Sequence, residues 1–112
     1  MIRKAGMVDE AAIQEAAAML LAAAPPGSKV ILFGSYARGE ADDRSDLDFL
    51  VVEPGAVPEF DEMVRLGNVL APLGLAVDIL VASEATFQYW IDTPNTVYCR
   101  AAKEGRVYEK VA

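Results

Sequence analysis

The chain has 112 residues, a formal net charge of −7, one cysteine and no histidine. This length predicts a single domain over residues 1 to 112, and the acidity argues against stable binding to a polynucleotide, because such binding depends mainly on Lys and Arg that neutralise phosphates. Any catalysis must use carboxylates, hydroxyls and basic groups, since histidine, the commonest general base, is absent.

The sequence contains no segment that predicts a membrane or a secreted location. No apolar run approaches the roughly 18 residues that a membrane span needs. Arg3 and Lys4 lie near the N-terminus, but Asp9 and Glu10 follow them, where a secretory signal would have an apolar core. The single Cys99 cannot form an internal disulfide, which fits a reducing compartment. We therefore expect a cytoplasmic protein.

The first half of the chain predicts one helix and two strands. Asp9 is a plausible N-cap for a helix that continues to Ala23, with apolar residues at helical spacing, and prolines follow it. The β-branched and apolar run over residues 29–33 predicts a strand that ends in a tight turn at Gly34 and Ser35. A second strand is expected over residues 47–52.

The second half predicts further elements of both kinds. We expect a helix from Pro58 to about Leu70, a third strand over residues 76–81, and a helix capped by Ser83 that continues through Trp90. A last helix is predicted to open at residues 93–94, with proline at its first position, and to end at Gly105. Three strands with intervening helices indicate an α/β fold with a short mixed sheet and flanking helices.

Two aspartates at the start of the second strand are candidate metal ligands. Side chains alternate between the faces of a strand, so Asp46 and Asp48 point to the same side, about 6.6 Å apart along the strand, whereas Leu47 and Phe49 face the other side. Oxygen ligands of this kind suit Mg²⁺, which usually keeps some water and takes further ligands from substrate phosphates. The alternative is a solvated strand start.

Asp78 lies within the apolar third strand, where an unpaired ionised carboxylate would be costly to bury. If the third strand pairs with the second, Asp78 can join Asp46 and Asp48 in a cluster whose repulsion cations relieve. Two such ions would orient a triphosphate and stabilise the leaving oxygen. The alternative is a structural acid that is protonated or paired with Arg65 or Lys29.

The turn at Gly34 and Ser35 is a candidate phosphate-binding loop. Glycine permits close backbone approach, and the Ser35 hydroxyl with the N–H groups that follow can bind phosphate oxygens. Arg38 would add positive charge at the same phosphates. Phosphoryl-type transfer relies mainly on positioning and charge neutralisation, which this combination provides.

Gly34-Ser35, Ala37-Arg38-Gly39 and Ser45-Asp46-Leu47-Asp48, at this spacing, resemble the DNA polymerase β-like nucleotidyltransferase superfamily, and in particular its minimal branch, the MNT proteins. The resemblance implies that Gly34 and Ser35 bind the triphosphate. It also implies metal binding by Asp46, Asp48 and Asp78, which would be the catalytic residues.

The same resemblance implies a function and a partner. MNT proteins are typically paired with a helical HEPN protein, often as the antitoxin of a toxin–antitoxin pair, and some resemble enzymes that nucleotidylate the toxin. We therefore expect Mg²⁺-dependent transfer of a nucleoside monophosphate, AMP in the first instance, from ATP or another nucleoside triphosphate. Two alternatives stay open: a non-catalytic antitoxin that masks its toxin by binding, and a small-molecule nucleotidyltransferase, which the expected lack of an acceptor domain disfavours.

Overall fold

The computed structural model describes residues 7 to 109, so Arg3 and Lys4 lie outside the described residues. Within this range the protein has five helices and four strands, with a 3₁₀ turn over Ala71–Leu73. In chain order they are α1 (Glu10–Ala23), β1 (Lys29–Phe33), α2 (Ser35–Arg38), β2 (Leu47–Glu53), α3 (Glu59–Leu70), β3 (Val77–Ser83), α4 (Glu84–Trp90), α5 (Val97–Glu104) and β4 (Arg106–Glu109). In this described part, no helix is both long and apolar enough to cross a membrane.

The four strands form one mixed sheet in the order β3-β2-β1-β4. Strand β1 pairs antiparallel with both β2 and β4, whereas β2 and β3 are parallel. The parallel pair is possible because α3 returns the chain to the end of the sheet where β2 began, as a parallel connection requires. The expected α/β fold with a short mixed sheet is confirmed.

Helices cover both faces of the sheet and divide the core in two. Helices α1 and α3 pack on one face, against buried residues such as Leu47 and Phe49. Phe87 of α4 and Ala101 of α5 pack on the other face, where Leu50 is buried. Because strand side chains alternate, Asp48 belongs to the same face as Leu50 and therefore to the side of α4 and α5.

The predicted caps of two helices are confirmed. The Asp9 carboxylate accepts the backbone N–H of Ala12 at 2.9 Å, and the Ser83 hydroxyl accepts that of Thr86 at 3.1 Å. Each bond satisfies an N–H group that the first turn of a helix leaves without an intrahelical partner.

Two predictions about the C-terminal third are wrong. The sheet has a fourth strand, β4, which pairs with β1 and was not predicted, because it is only four residues long and half of them are exposed. Helix α5 does not open with proline at its first position. Asn95 takes a positive φ of 67°, and the hydroxyl of Thr96 caps the helix by accepting the N–H of Cys99 at 3.1 Å. Gly105 does end the helix, as expected.

Candidate active site

The turn after β1 brings the backbone into direct contact with a carboxylate. Gly34 is buried, caps the short helix α2 and has φ 78° and ψ −157°, a conformation that is essentially restricted to glycine. A Cβ atom placed on Gly34 would lie 3.2 Å from Cγ of Asp48 and still closer to one of its carboxylate oxygens. Only glycine leaves room for Asp48 here, so the candidate phosphate loop and a candidate metal ligand are immediate neighbours.

The second strand begins at this turn and carries two of the three aspartates. Asp46 lies one residue before β2 and is exposed, whereas Asp48 is half-buried and pairs in register with Phe33, the last residue of β1. A cleft of about 240 Å³ adjoins Asp46, lined by residues 43–45 on one side and 74–76 on another. Asp46 is the one predicted site residue that lines this cleft, so the cleft adjoins the candidate site but does not contain it.

Asp78 takes the position beside Asp48 that the pairing of the strands predicts. The two residues are register partners in the parallel β2–β3 pair, in which neighbouring strands lie about 4.8 Å apart. The premise that Asp78 is buried is wrong, because its side chain is exposed on the edge strand of the sheet. The paired-acid alternative gains no support either, since among the described residues Arg65 pairs with Glu62 and Lys29 with Glu84.

Asp48 has the electrostatic environment expected of a central carboxylate in an acidic cluster. Burial, followed by the negative charges of Asp78 and Asp46, raises the pKa of its carboxyl group. The positive charges of Arg38 and Arg100 act in the opposite direction. Asp48 is thus close enough to both Asp46 and Asp78 to be repelled by each, and a cation placed beside Asp48 would relieve that repulsion.

The oxygen donors of the three aspartates are of the type that a hard cation prefers, although their side chains do not converge on one position. No group of three His, Cys, Asp or Glu side chains between residues 7 and 109 is arranged so that it could hold a metal ion. Both outer acids, Asp46 and Asp78, are exposed, so their side chains have room to turn towards Asp48. An all-oxygen donor set of this type fits Mg²⁺, which needs few protein ligands because it retains water and binds phosphate.

The two remaining predicted site residues flank the turn. Ser35 is the first residue of α2 and is half-buried. Arg38 ends the same helix, and its guanidinium donates to Glu40 at 2.8 Å and to Glu104 at 3.0 Å. The hydrogen bond to Glu40 and the negative charge of Glu104 raise the pKa of Arg38. A single turn of helix therefore places a hydroxyl and a fixed positive charge beside the aspartates.

Two residues of α5 also belong to this region, and the sequence analysis missed both. Glu104 contacts Arg38, and Arg100 lies one helical turn earlier, near enough to Asp48 to lower its pKa. Their spacing of four residues indicates a shared helix face. It does not indicate what that face meets, because the contact between Glu104 and Arg38 spans 66 positions of the chain.

Comparison with known proteins identifies the family of this chain. The model of the nucleotidyltransferase domain family matches residues 15–108. A protein of Methanocaldococcus jannaschii, MJ0604, assigned as a protein adenylyltransferase, is 39% identical over 80 residues, which are 70% of this chain and 75% of that protein.

Solved structures show the same fold. A Sulfolobus solfataricus structure described as a nucleotidyltransferase has a TM-score of 0.59 at 26% identity, with 86% of this chain and 75% of that chain covered. Two toxin–antitoxin structures are similar in fold. One, solved with AMP-PNP, has a TM-score of 0.61 at 21% identity and coverages of 87% and 73%. The other, a variant of MntA–HpeT, has a TM-score of 0.57 at 19% identity and coverages of 92% and 75%. Together with the match over residues 15–108, these findings show that the chain belongs to the nucleotidyltransferase domain family and shares its fold with the two toxin–antitoxin structures.

Proposed function

We propose that this nucleotidyltransferase transfers AMP from Mg²⁺-bound ATP to a hydroxyl group of a protein partner, a helical HEPN-type toxin, and thereby acts as its antitoxin. The observation that carries the proposal is the contact between the Gly34 turn and Asp48, with Asp78 beside Asp48 in the sheet. This arrangement combines the two requirements of the chemistry, a place for phosphates and a place for cations, at one end of the sheet.

Each side chain of the site has a defined task in the proposal. The Ser35 hydroxyl and the guanidinium of Arg38 bind the triphosphate, and the close approach at Gly34 sets them beside Asp48. The carboxylates of Asp46, Asp48 and Asp78 would hold Mg²⁺, which supplies charge neutralisation for the triphosphate when bound. The residues thus orient the α-phosphorus for attack by an incoming hydroxyl, with pyrophosphate as the leaving group.

Two lines of comparison support a protein acceptor. MJ0604, of which this chain matches 75%, is assigned as a protein adenylyltransferase. Similar folds occur in toxin–antitoxin complexes, one of them solved with an ATP analogue. The charge of −7 is a further argument, because it disfavours a polynucleotide as the acceptor. The most direct protein acceptor is a tyrosine hydroxyl, presented when the partner packs against the open end of the site.

The experiment is intact-mass spectrometry of the partner. The neighbouring gene product is co-purified with this protein and incubated with ATP and Mg²⁺, and each transferred adenylate should add about 329 Da, as expected for covalent transfer rather than binding. The matched control is the Asp48→Asn variant, which keeps the shape of the side chain and should leave the mass unchanged. An unshifted mass with wild-type protein in a stable inhibited complex would instead establish an antitoxin that acts by masking.

A further inference from the structure

One carboxylate oxygen of Glu104 joins two parts of the candidate site. Oε1 of Glu104 accepts the backbone N–H of Gly34 at 3.1 Å and an N–H of the Arg38 guanidinium at 3.0 Å. The Glu104 side chain is 22% exposed; its bond to Gly34 is partly buried, whereas its bond to Arg38 lies at the surface. Among the described residues, no other side chain is hydrogen-bonded to both the Gly34 backbone and Arg38.

Close packing of the next residue, Gly105, against β1 fixes the position of Glu104. Gly105 lies so close to β1 that an added Cβ would meet the side chain of Ile31 and lie 3.1 Å from the carbonyl oxygen of Leu32. Its own N–H donates to the carbonyl of Ala101 at 2.9 Å, which closes the last turn of α5. The end of α5 is therefore fixed against β1, and Glu104 has little freedom to leave the loop.

We propose that Glu104 is a positioning residue for the nucleotide, a role that rests on the proposed function. By accepting from Gly34 and Arg38 with one oxygen, it sets the distance between the loop and the guanidinium before the triphosphate arrives. Charge-assisted hydrogen bonds of this kind are stronger than neutral ones and fix geometry as well as energy. Preorganisation of this type lowers the cost of ordering a site when a ligand binds.

The contacts of Glu104 leave the phosphate-binding groups available. A guanidinium has five N–H donors, and Arg38 uses Nε for Glu40 and Nη1 for Glu104, so donors remain for a phosphate oxygen. The Gly34 N–H is occupied by Glu104, whereas the Ser35 hydroxyl, which the proposal gives to the triphosphate, is not. Glu104 therefore holds the Gly34 turn and Arg38 in place without occupying the groups that would bind the triphosphate.

Steady-state kinetics with Glu104→Ala and Glu104→Gln test this role. Glu104→Ala removes both hydrogen bonds, and we expect it to raise KM for ATP by about tenfold or more, with little change in kcat. Glu104→Gln should have a smaller effect, because its amide oxygen can still accept the N–H of Gly34. The control is Glu10→Gln, which removes the negative charge from a carboxylate–arginine contact of the same 3.0 Å length, to Arg106, elsewhere on the surface.

Hydrogen exchange at the Gly34 amide gives a readout that needs no nucleotide. Exchange should be about tenfold faster in Glu104→Ala than in the wild type, close to wild-type in Glu10→Gln, and intermediate in Glu104→Gln. An unchanged KM in Glu104→Ala would overturn the positioning role, and a lower KM would instead make Glu104 a competitor of the triphosphate. If the wild type neither binds nor uses ATP while the exchange pattern is as expected, the contact exists but the proposed function is wrong.

Discussion

A buried pair of glutamates at the far end of β2 should make the stability of the protein depend on pH. Glu53 is 2% exposed, and its Oε2 atom has no hydrogen-bond partner among the described residues. Burial, a hydrogen bond with Glu62 and the charge of Glu62 raise the pKa of Glu53 from 4.5 to about 7. Hydrogen bonds from Arg65 and Glu53 lower the pKa of Glu62 to about 2. The pair therefore holds one shared proton below about pH 7, with Arg65 stabilising the ionised partner.

The sign of the effect follows from the raised pKa of Glu53. The folded state binds this proton more tightly than the unfolded state, so the stabilisation is complete below pH 4.5 and is lost as the pH rises through about 7. The free energy of unfolding should fall by up to about 1.4 kcal/mol per pH unit in this window, and by roughly 3 kcal/mol in all. Glu62 acts in the opposite direction, but only below pH 4.5.

The substitution Glu53→Gln tests this account because glutamine can donate to Glu62 without a titrating proton. We expect the variant to match the wild type within about 1 kcal/mol at pH 5 and to exceed it by roughly 3 kcal/mol at pH 8. Urea unfolding at pH 5, 6, 7 and 8, followed by circular dichroism, measures the difference. Glu15→Gln, at an exposed site on α1, controls for the removal of one negative charge. A difference between Glu53→Gln and wild type that does not change with pH would refute the shared proton.

Three further predictions concern the active site. Gly34→Ala should lose all transfer activity and about 1–3 kcal/mol of stability, because its backbone conformation is essentially restricted to glycine and its Cβ would meet Asp48. Gly39 also has a positive φ, but a Cβ added there would face open space. The control Gly39→Ala should therefore lose stability in urea unfolding and keep its transfer activity. Asp48→Asn and Asp46→Asn should each abolish transfer. In thermal melts the metal-free variants should be as stable as the wild type or more stable, because each substitution removes like-charge repulsion. A variant that is less stable but still active would instead make these acids structural. Mg²⁺ with ATP should stabilise the wild type by about 2.7 kcal/mol at a hundredfold excess over Kd, and no rise in Tm at millimolar nucleotide would contradict the substrate assignment.

The sequence predicted the parts of the site that depend on local pattern. Alternation along a strand placed Asp46 and Asp48 on one side and Leu47 on the other, and the glycine in the turn indicated a close backbone approach. Pairing of β3 with β2 had to be assumed, and the register that sets Asp78 beside Asp48 confirms it; the parallel direction comes from the structure. The opposite faces of Leu47 and Asp48 and the close approach at Gly34, here to Asp48, agree with these predictions because they follow from chain geometry over a few residues.

The errors concern properties that only the assembled fold decides. Asp78 has apolar neighbours in sequence, which suggested burial, but β3 is the edge strand and leaves its side chain exposed. The contribution of α5 could not be predicted, because the bond from the Gly34 amide to Glu104 spans 70 positions. Strand β4 was not predicted for a related reason. Its four residues are stabilised by pairing with β1, and their sequence pattern alone does not indicate a strand.

The most direct test of the account is which phosphorus atom of ATP reaches the partner protein. Labelled ATP is incubated with Mg²⁺, the co-purified partner and either wild-type protein or Asp48→Asn, and the partner is then denatured and counted. We predict stable label from α-phosphorus-labelled ATP, none from γ-phosphorus-labelled ATP, and none from either with Asp48→Asn, because transfer of AMP releases the β- and γ-phosphates as pyrophosphate. Label from the γ-phosphorus, or α-label that persists in Asp48→Asn, would contradict a nucleotidyltransferase site built on these aspartates.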